Sequence, residues 1–129
     1  MRLFFYTILI ILTASCVADS DDGMKGKEIA HISEVFIPET SNNLEIAQIR
    51  AKAVETNGCW SDLYFVMEKK SDFEYRLKAF GTYESNGVCP AVMVYKDTII
   101  NFKPTRRGIY FFETIQSKDK VRLDTMLVE

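Results

Sequence analysis

Histidine is almost missing from this chain: His31 is the only one among 129 residues. A triad of nucleophile, imidazole and carboxylate would have to use this one His, and its place at the edge of a polar segment argues against that. Zinc sites draw on several His or Cys side chains, so His31 is read as a solvated residue. No apolar run reaches the roughly 20 residues of a membrane-spanning helix. Glycine and proline are sparse, at 6 and 3. With abundant Val, Ile, Phe and Tyr, such a chain has the means to bury a core. No catalytic or cofactor motif stands out. Asp19, Asp21 and Asp22 lack the Gly and terminal Glu of a calcium loop, and no cofactor or metal is expected.

The N-terminus carries the clearest pattern. Met1-Arg2 is followed by an apolar run from Leu3 to Leu12, then Thr13-Ala14-Ser15-Cys16. One basic residue, about ten apolar residues and a small-residue exit form the layout of a secretory signal peptide. The exit resembles a bacterial lipobox. Ala14 and Ser15 directly before Cys16 fit that pattern, whereas Thr13 stands where an aliphatic residue is expected and Leu12 lies one place too early. The resemblance implies removal of residues 1–15, acylation of Cys16, and a lipid anchor in the outer membrane. The alternative is ordinary cleavage after Ala18, which discards Cys16. The acidic stretch from Val17 to Gly23 resembles the tether that routes lipoproteins to the cell surface in some Gram-negative bacteria. Residues 16–30 are expected to be a flexible tether and 31–129 one folded domain.

Cleavage before Cys16 leaves 129 − 15 = 114 residues, a single-domain length. It also leaves 15 basic against 18 acidic residues, a net charge of 15 − 18 = −3. A mildly acidic, mixed surface offers no electrostatic case for nucleic acid. Either cleavage leaves Cys59 and Cys89 in the folded region. In an oxidising compartment the default is a disulfide. Its loop of about 30 residues stabilises the fold by about 3.5 kcal/mol in the chain-entropy account. Two free buried thiols, or a redox or metal site, are the alternatives.

Downstream of the tether, Ile32 to Ile37 reads as a strand stopped by Pro38. Residues 44–56 fit two periods. Leu44, Ala47, Ala51 and Val54 fall at helical spacing, but Ile49, Ala51 and Ala53 alternate with Gln48, Arg50 and Lys52. Strand is expected, because all that follows is strand. Leu63-Phe65-Met67 alternates, Lys69 to Asp72 turns, and Tyr75-Leu77-Ala79 alternates again. Asn86-Gly87 suits a turn with positive φ. Val92 to Tyr95, a turn at Lys96-Asp97, Thr98 to Phe102, Gly108 to Thr114 and Val121 to Val128 complete the chain. Short strands with turns between them argue an all-β sandwich.

One segment, Ile100-Asn101-Phe102-Lys103-Pro104-Thr105-Arg106-Arg107-Gly108-Ile109-Tyr110, resembles the E-to-F corner of bacterial immunoglobulin-like domains. There an aromatic-x-Pro ends one strand and Gly-x-Tyr opens the next. The resemblance covers about residues 34–128 and implies a seven-stranded immunoglobulin-like β-sandwich, with the Tyr110 hydroxyl bonded back to the corner backbone. Such families carry no catalytic residues to transfer. Cys59 and Cys89 are closer in sequence than the bridge of antibody domains, so they are expected to tie neighbouring loops or strand ends.

Candidate recognition residues remain. Lys103 with Arg106-Arg107 is a basic cluster suited to an acidic partner or an anionic glycan, or to plain solvation. Trp60, Tyr64 and Phe80 form either a sugar-stacking platform or, for Trp60, core packing against the disulfide. Cys89-Pro90 and converging carboxylates from different strands are the openings for catalysis. The expected function is a non-enzymatic, membrane-anchored cell-envelope module that binds or positions a protein or glycan partner. The alternatives are a secreted or periplasmic glycan-binding module and a small hydrolase.

Overall fold

A computed structural model describes residues 25–42 and 44–129. The leader, Cys16 and most of the tether lie outside the described residues. Those described form an all-β structure of two sheets with no helix. Nine strands are present: β1 (Lys25–Ala30), β2 (Ile32–Phe36), β3 (Thr40–Ser41), β4 (Ala47–Glu55), β5 (Trp60–Ser71), β6 (Glu74–Glu84), β7 (Val94–Phe102), β8 (Gly108–Ser117) and β9 (Lys120–Val128).

The smaller sheet is β2-β4-β7, antiparallel throughout. The larger is built on the β5–β6 hairpin. One edge of β6 pairs β5. Its other edge is divided: residues 79–84 pair β1 antiparallel, and residues 74–77 pair β8 in parallel. Beyond β8 come β9, antiparallel, and β3, parallel.

Residues 44–56 resolve as strand. In β4 the inward positions are Ala47, Ile49, Ala51 and Ala53, all buried, while Gln48 and Arg50 face out. Alanine favours helix in isolation. Here pairing on both edges of β4 and burial of one face override that preference. Around Ile49 the core gathers Ile32, Leu77, Tyr110, Phe112, Met126 and Val128, none more than 2% exposed. Its aromatic centre packs edge to face: the Tyr75–Phe102, Phe102–Phe112 and Phe73–Tyr110 ring centroids lie 4.8, 5.2 and 5.1 Å apart. Such contacts align ring edges with ring faces, the favourable quadrupole geometry.

Three features depart from the sequence expectation. The strands among the described residues number nine rather than seven, the additions being β1 and the two-residue β3. β1 occupies the end of the stretch read as tether. Its polar sequence is held by pairing along β6 from Glu84 to Ala79 and by the buried Ala30, with the Lys27 ammonium 4.4 Å from the Phe80 ring centroid and 5.4 Å from that of Tyr64. The expected turn at Lys96-Asp97 is absent, and β7 runs straight through it. Asp97 lies opposite Lys52 in the β4–β7 register, and opposite charges across a strand pair favour pairing over turning.

Candidate binding face

The residues singled out in the sequence fall into three places. The first is the disulfide. Cys59 and Cys89 are bonded, with Cα atoms 5.2 Å apart. The bond ties the residue before β5 to the loop after β6. Around it, the Gly58 N–H donates to the Pro90 carbonyl at 2.8 Å and the Glu84 N–H to the Cys59 carbonyl at 2.9 Å. The Tyr83 hydroxyl reaches Cys89 Sγ at 3.5 Å, and the Trp60 ring packs edge-on to Tyr83 at 5.4 Å. Trp60 is therefore half-buried packing beside the disulfide. It stays on the inner side, while Tyr64 and Phe80 pair on the outer side at 5.7 Å. Asp62, with φ of 52°, takes up the shift in register between Ser61 and Tyr64 that separates the two groups. The three rings do not form one platform.

The second place is the corner. Pro104 is fully buried between β7 in one sheet and β8 in the other. The Tyr110 hydroxyl donates to the Arg106 carbonyl at 2.8 Å and accepts the Arg106 N–H at 3.1 Å. Gly108 has φ of 142°, and a Cβ there would lie 3.1 Å from Phe73 Cε1. Of the basic cluster, Arg106 pairs Asp72 at 3.3 Å, so part of its charge is already matched.

The third is His31, which is exposed. Its backbone N–H donates to Glu55 Oε1 at 2.7 Å, a structural contact.

Sequence reading missed the outer face of the three-stranded sheet. The β2–β4–β7 registers place Phe36, Arg50 and Ile99 in one cross-strand row and Glu34, Lys52 and Asp97 in the next. Phe36 is 61% exposed and Ile99 56%. Tyr95, 65% exposed, lies one row further, with Lys52 Nζ 5.7 Å from its ring centroid. The Phe36 and Glu34 rows line a shallow groove of about 950 Å³, which Lys96 and Arg122 also border. Same-face rows along a strand are about 6.8 Å apart and strands about 4.8 Å. The apolar positions thus bracket the charged row at a spacing that suits an extended ligand. Arg50 and Lys52 stand here beside Glu34 and Asp97; Lys96, opposite the buried Ala53, projects from the other side of the sheet, and Arg122 is paired with Asp124 at 3.0 Å. Arg50 and Lys96 make no ion pair among the described residues. The alternation of Arg50 and Lys52 with alanines hinted at this face. Its aromatic members lie on other strands, and only the register unites them.

The outer face of the larger sheet is electrostatically tied together instead. Glu113 on β8 accepts from Arg76 Nε at 3.1 Å and Lys70 Nζ at 3.4 Å. Burial pushes its carboxyl pKa upward, but the hydrogen bond and charge of Arg76, with those of Lys70, outweigh this and hold it below its ordinary 4.5.

Compared with known protein families, with characterised proteins and with solved structures, the chain matches none.

Proposed function

We propose that this chain is a lipid-anchored outer-membrane protein of the cell envelope whose single immunoglobulin-like sandwich binds or positions a partner and performs no chemistry. The observation that carries the binding role is the exposed Phe36-Arg50-Ile99 row beside Tyr95 and Lys52 on one sheet face. Aromatic and Arg side chains are the residues that protein interfaces concentrate. Export is supported by the Cys59–Cys89 bond, which persists in oxidising compartments. The immunoglobulin-like assignment is supported by the hydroxyl-to-backbone corner at Tyr110, by the β7-to-β8 crossing between sheets, and by the parallel β3–β9 pair. The parallel contact of β6 with β8 is a divergence from that architecture.

Anchoring is tested with the full chain in a Gram-negative host. Partition into the detergent phase, lost in Cys16→Ala, is expected; a mature N-terminus at Asp19 refutes it. Binding is tested by comparing Phe36→Ala and Arg50→Ala with the parent for crosslinked partners in the envelope. Equal crosslinking in all three removes this face from the proposal.

A second reading is favoured by the two exposed rings Phe36 and Tyr95 on one sheet face, with Arg50, which makes no ion pair among the described residues, beside Phe36. It makes this face a site for an acidic glycan, the rings stacking on sugars and Arg50 meeting a carboxylate. Titration calorimetry with a uronic-acid oligosaccharide, parent against Tyr95→Ala, decides it: heat lost in the variant supports a glycan, and no heat in the parent excludes it.

A further inference from the structure

β9 is an edge strand with an unusual surface. Its register with β8 is unbroken from Val121 to Val128. On its other side β3 covers only Leu127 and Val128 among the described residues. The Leu127 N–H donates to the Glu39 carbonyl and the Glu129 N–H to the Ser41 carbonyl. Backbone groups alternate between the two sides of a strand. Hence Val121, Leu123 and Thr125 also turn their N–H and C=O groups to the uncovered side. Their side chains share the outer face, where Leu123 is 76% exposed and Val121 51%. Across β8, Phe111, opposite Thr125, is 51% exposed, and Ile115 lies opposite Val121. An exposed apolar edge of this length is a template for another strand.

From this edge we infer that two copies of the chain pair β9 to β9, antiparallel about a two-fold axis through Leu123. The register follows from charge. Only the odd residues can exchange hydrogen bonds at this edge, so few alignments are open. Centring on Arg122 sets the two Arg122 side chains against each other. Centring on Asp124 does the same to the carboxylates. Centring on Thr125 sets Asp124 against Met126. Centring on Leu123 alone sets each Arg122 against the other copy's Asp124, twice. Within one copy these two already attract, with Arg122 Nε 3.0 Å from Asp124 Oδ2, so pairing extends that ion pair into a four-membered network. On the outer face the same register aligns Phe111 and Thr125 with the other copy's Val121 and Ile115, and Leu123 with itself. The interface is isologous, as a closed dimer requires. It uses a different edge from the aromatic groove, except that Arg122 borders both.

Cysteine crosslinking in the full chain, purified in mild detergent, tests this. Leu123→Cys is expected to shift from monomer to disulfide-linked dimer on mild oxidation, and exposed Gln48→Cys on the other sheet to stay monomeric. Val121→Cys and Thr125→Cys are each expected to link poorly alone and to link when the two chains are mixed and co-purified. Adding Asp124→Arg to Leu123→Cys is expected to abolish the link, and Arg122→Asp with Asp124→Arg to restore it. A monomeric Leu123→Cys overturns the proposal and leaves Arg122 and Asp124 as guards of a solitary edge. Equal linking of Val121→Cys alone and of the mixture overturns the register.

Discussion

The side chain of Tyr110 and the backbone of Arg106 form a closed pair: the hydroxyl gives its proton to the carbonyl at 2.8 Å and takes the amide proton at 3.1 Å. The pair sits where the chain leaves one sheet for the other, and Tyr110 is fully buried. Tyr110→Phe keeps the ring packing and strands both backbone groups. It is expected to lose about 1–3 kcal/mol of stability, read as a lower urea midpoint with an unchanged slope. An unchanged midpoint would reduce Tyr110 to an ordinary core residue.

Gly108, two residues earlier, tests the same corner by sterics. Its φ of 142° is strained for any side chain, and the added methyl would press on Phe73 at 3.1 Å. Gly108→Ala is expected to destabilise by more than about 1 kcal/mol. Phe73→Leu in the same background relieves the contact but not the φ, so it should recover only part of the loss.

For the disulfide, intact mass of the native protein is expected to lack the two thiol hydrogens of the reduced form, and neither Cys59 nor Cys89 should alkylate without reductant. Cys59→Ala with Cys89→Ala is expected to cost roughly 2–5 kcal/mol. Two reactive thiols in native protein would contradict the bond.

Glu113 gives a pH dependence. Its carboxyl is held below 4.5 in the folded state, so its charged form stabilises the fold above the unfolded value. That contribution fades as pH falls through the lowered folded value. The gap in urea midpoint between the parent and Glu113→Gln should therefore be full at neutral pH and close in acid as pH falls through that lowered value. A gap independent of pH would mean that Arg76 and Lys70 do not act on Glu113 as a charge.

Much of the fold was legible because its signals are local. Alternation in Leu63-Phe65-Met67 and in Tyr75-Leu77-Ala79 marks a two-sided strand wherever it occurs. Asn86-Gly87 marks a turn, and Gly87 does adopt φ of 106°. The corner was legible because Phe102, Pro104, Gly108 and Tyr110 each carry a separate backbone or packing constraint within nine residues. Strand β1 was not, since Lys25–Ala30 has almost no apolar pattern and is held by its pairing with the distant edge of β6. The candidate face was hidden for the same reason: Phe36, Arg50 and Ile99 become neighbours only when three strands far apart in sequence find their register.

The Cys59–Cys89 bond brackets the β5–β6 hairpin almost exclusively. In kinetic terms, the longest local pairing in the molecule can close and be locked before either chain end participates. β6 then offers its free edge as a seeding surface, on which β8 docks at one half and β1 at the other. The hairpin pairing closes the shorter loop, and the pairings of β6 with β8 and β1 span more of the chain, so they carry the larger loop-closure cost. A chain with only this hairpin formed would present β6 with an open edge, the feature that invites a foreign strand.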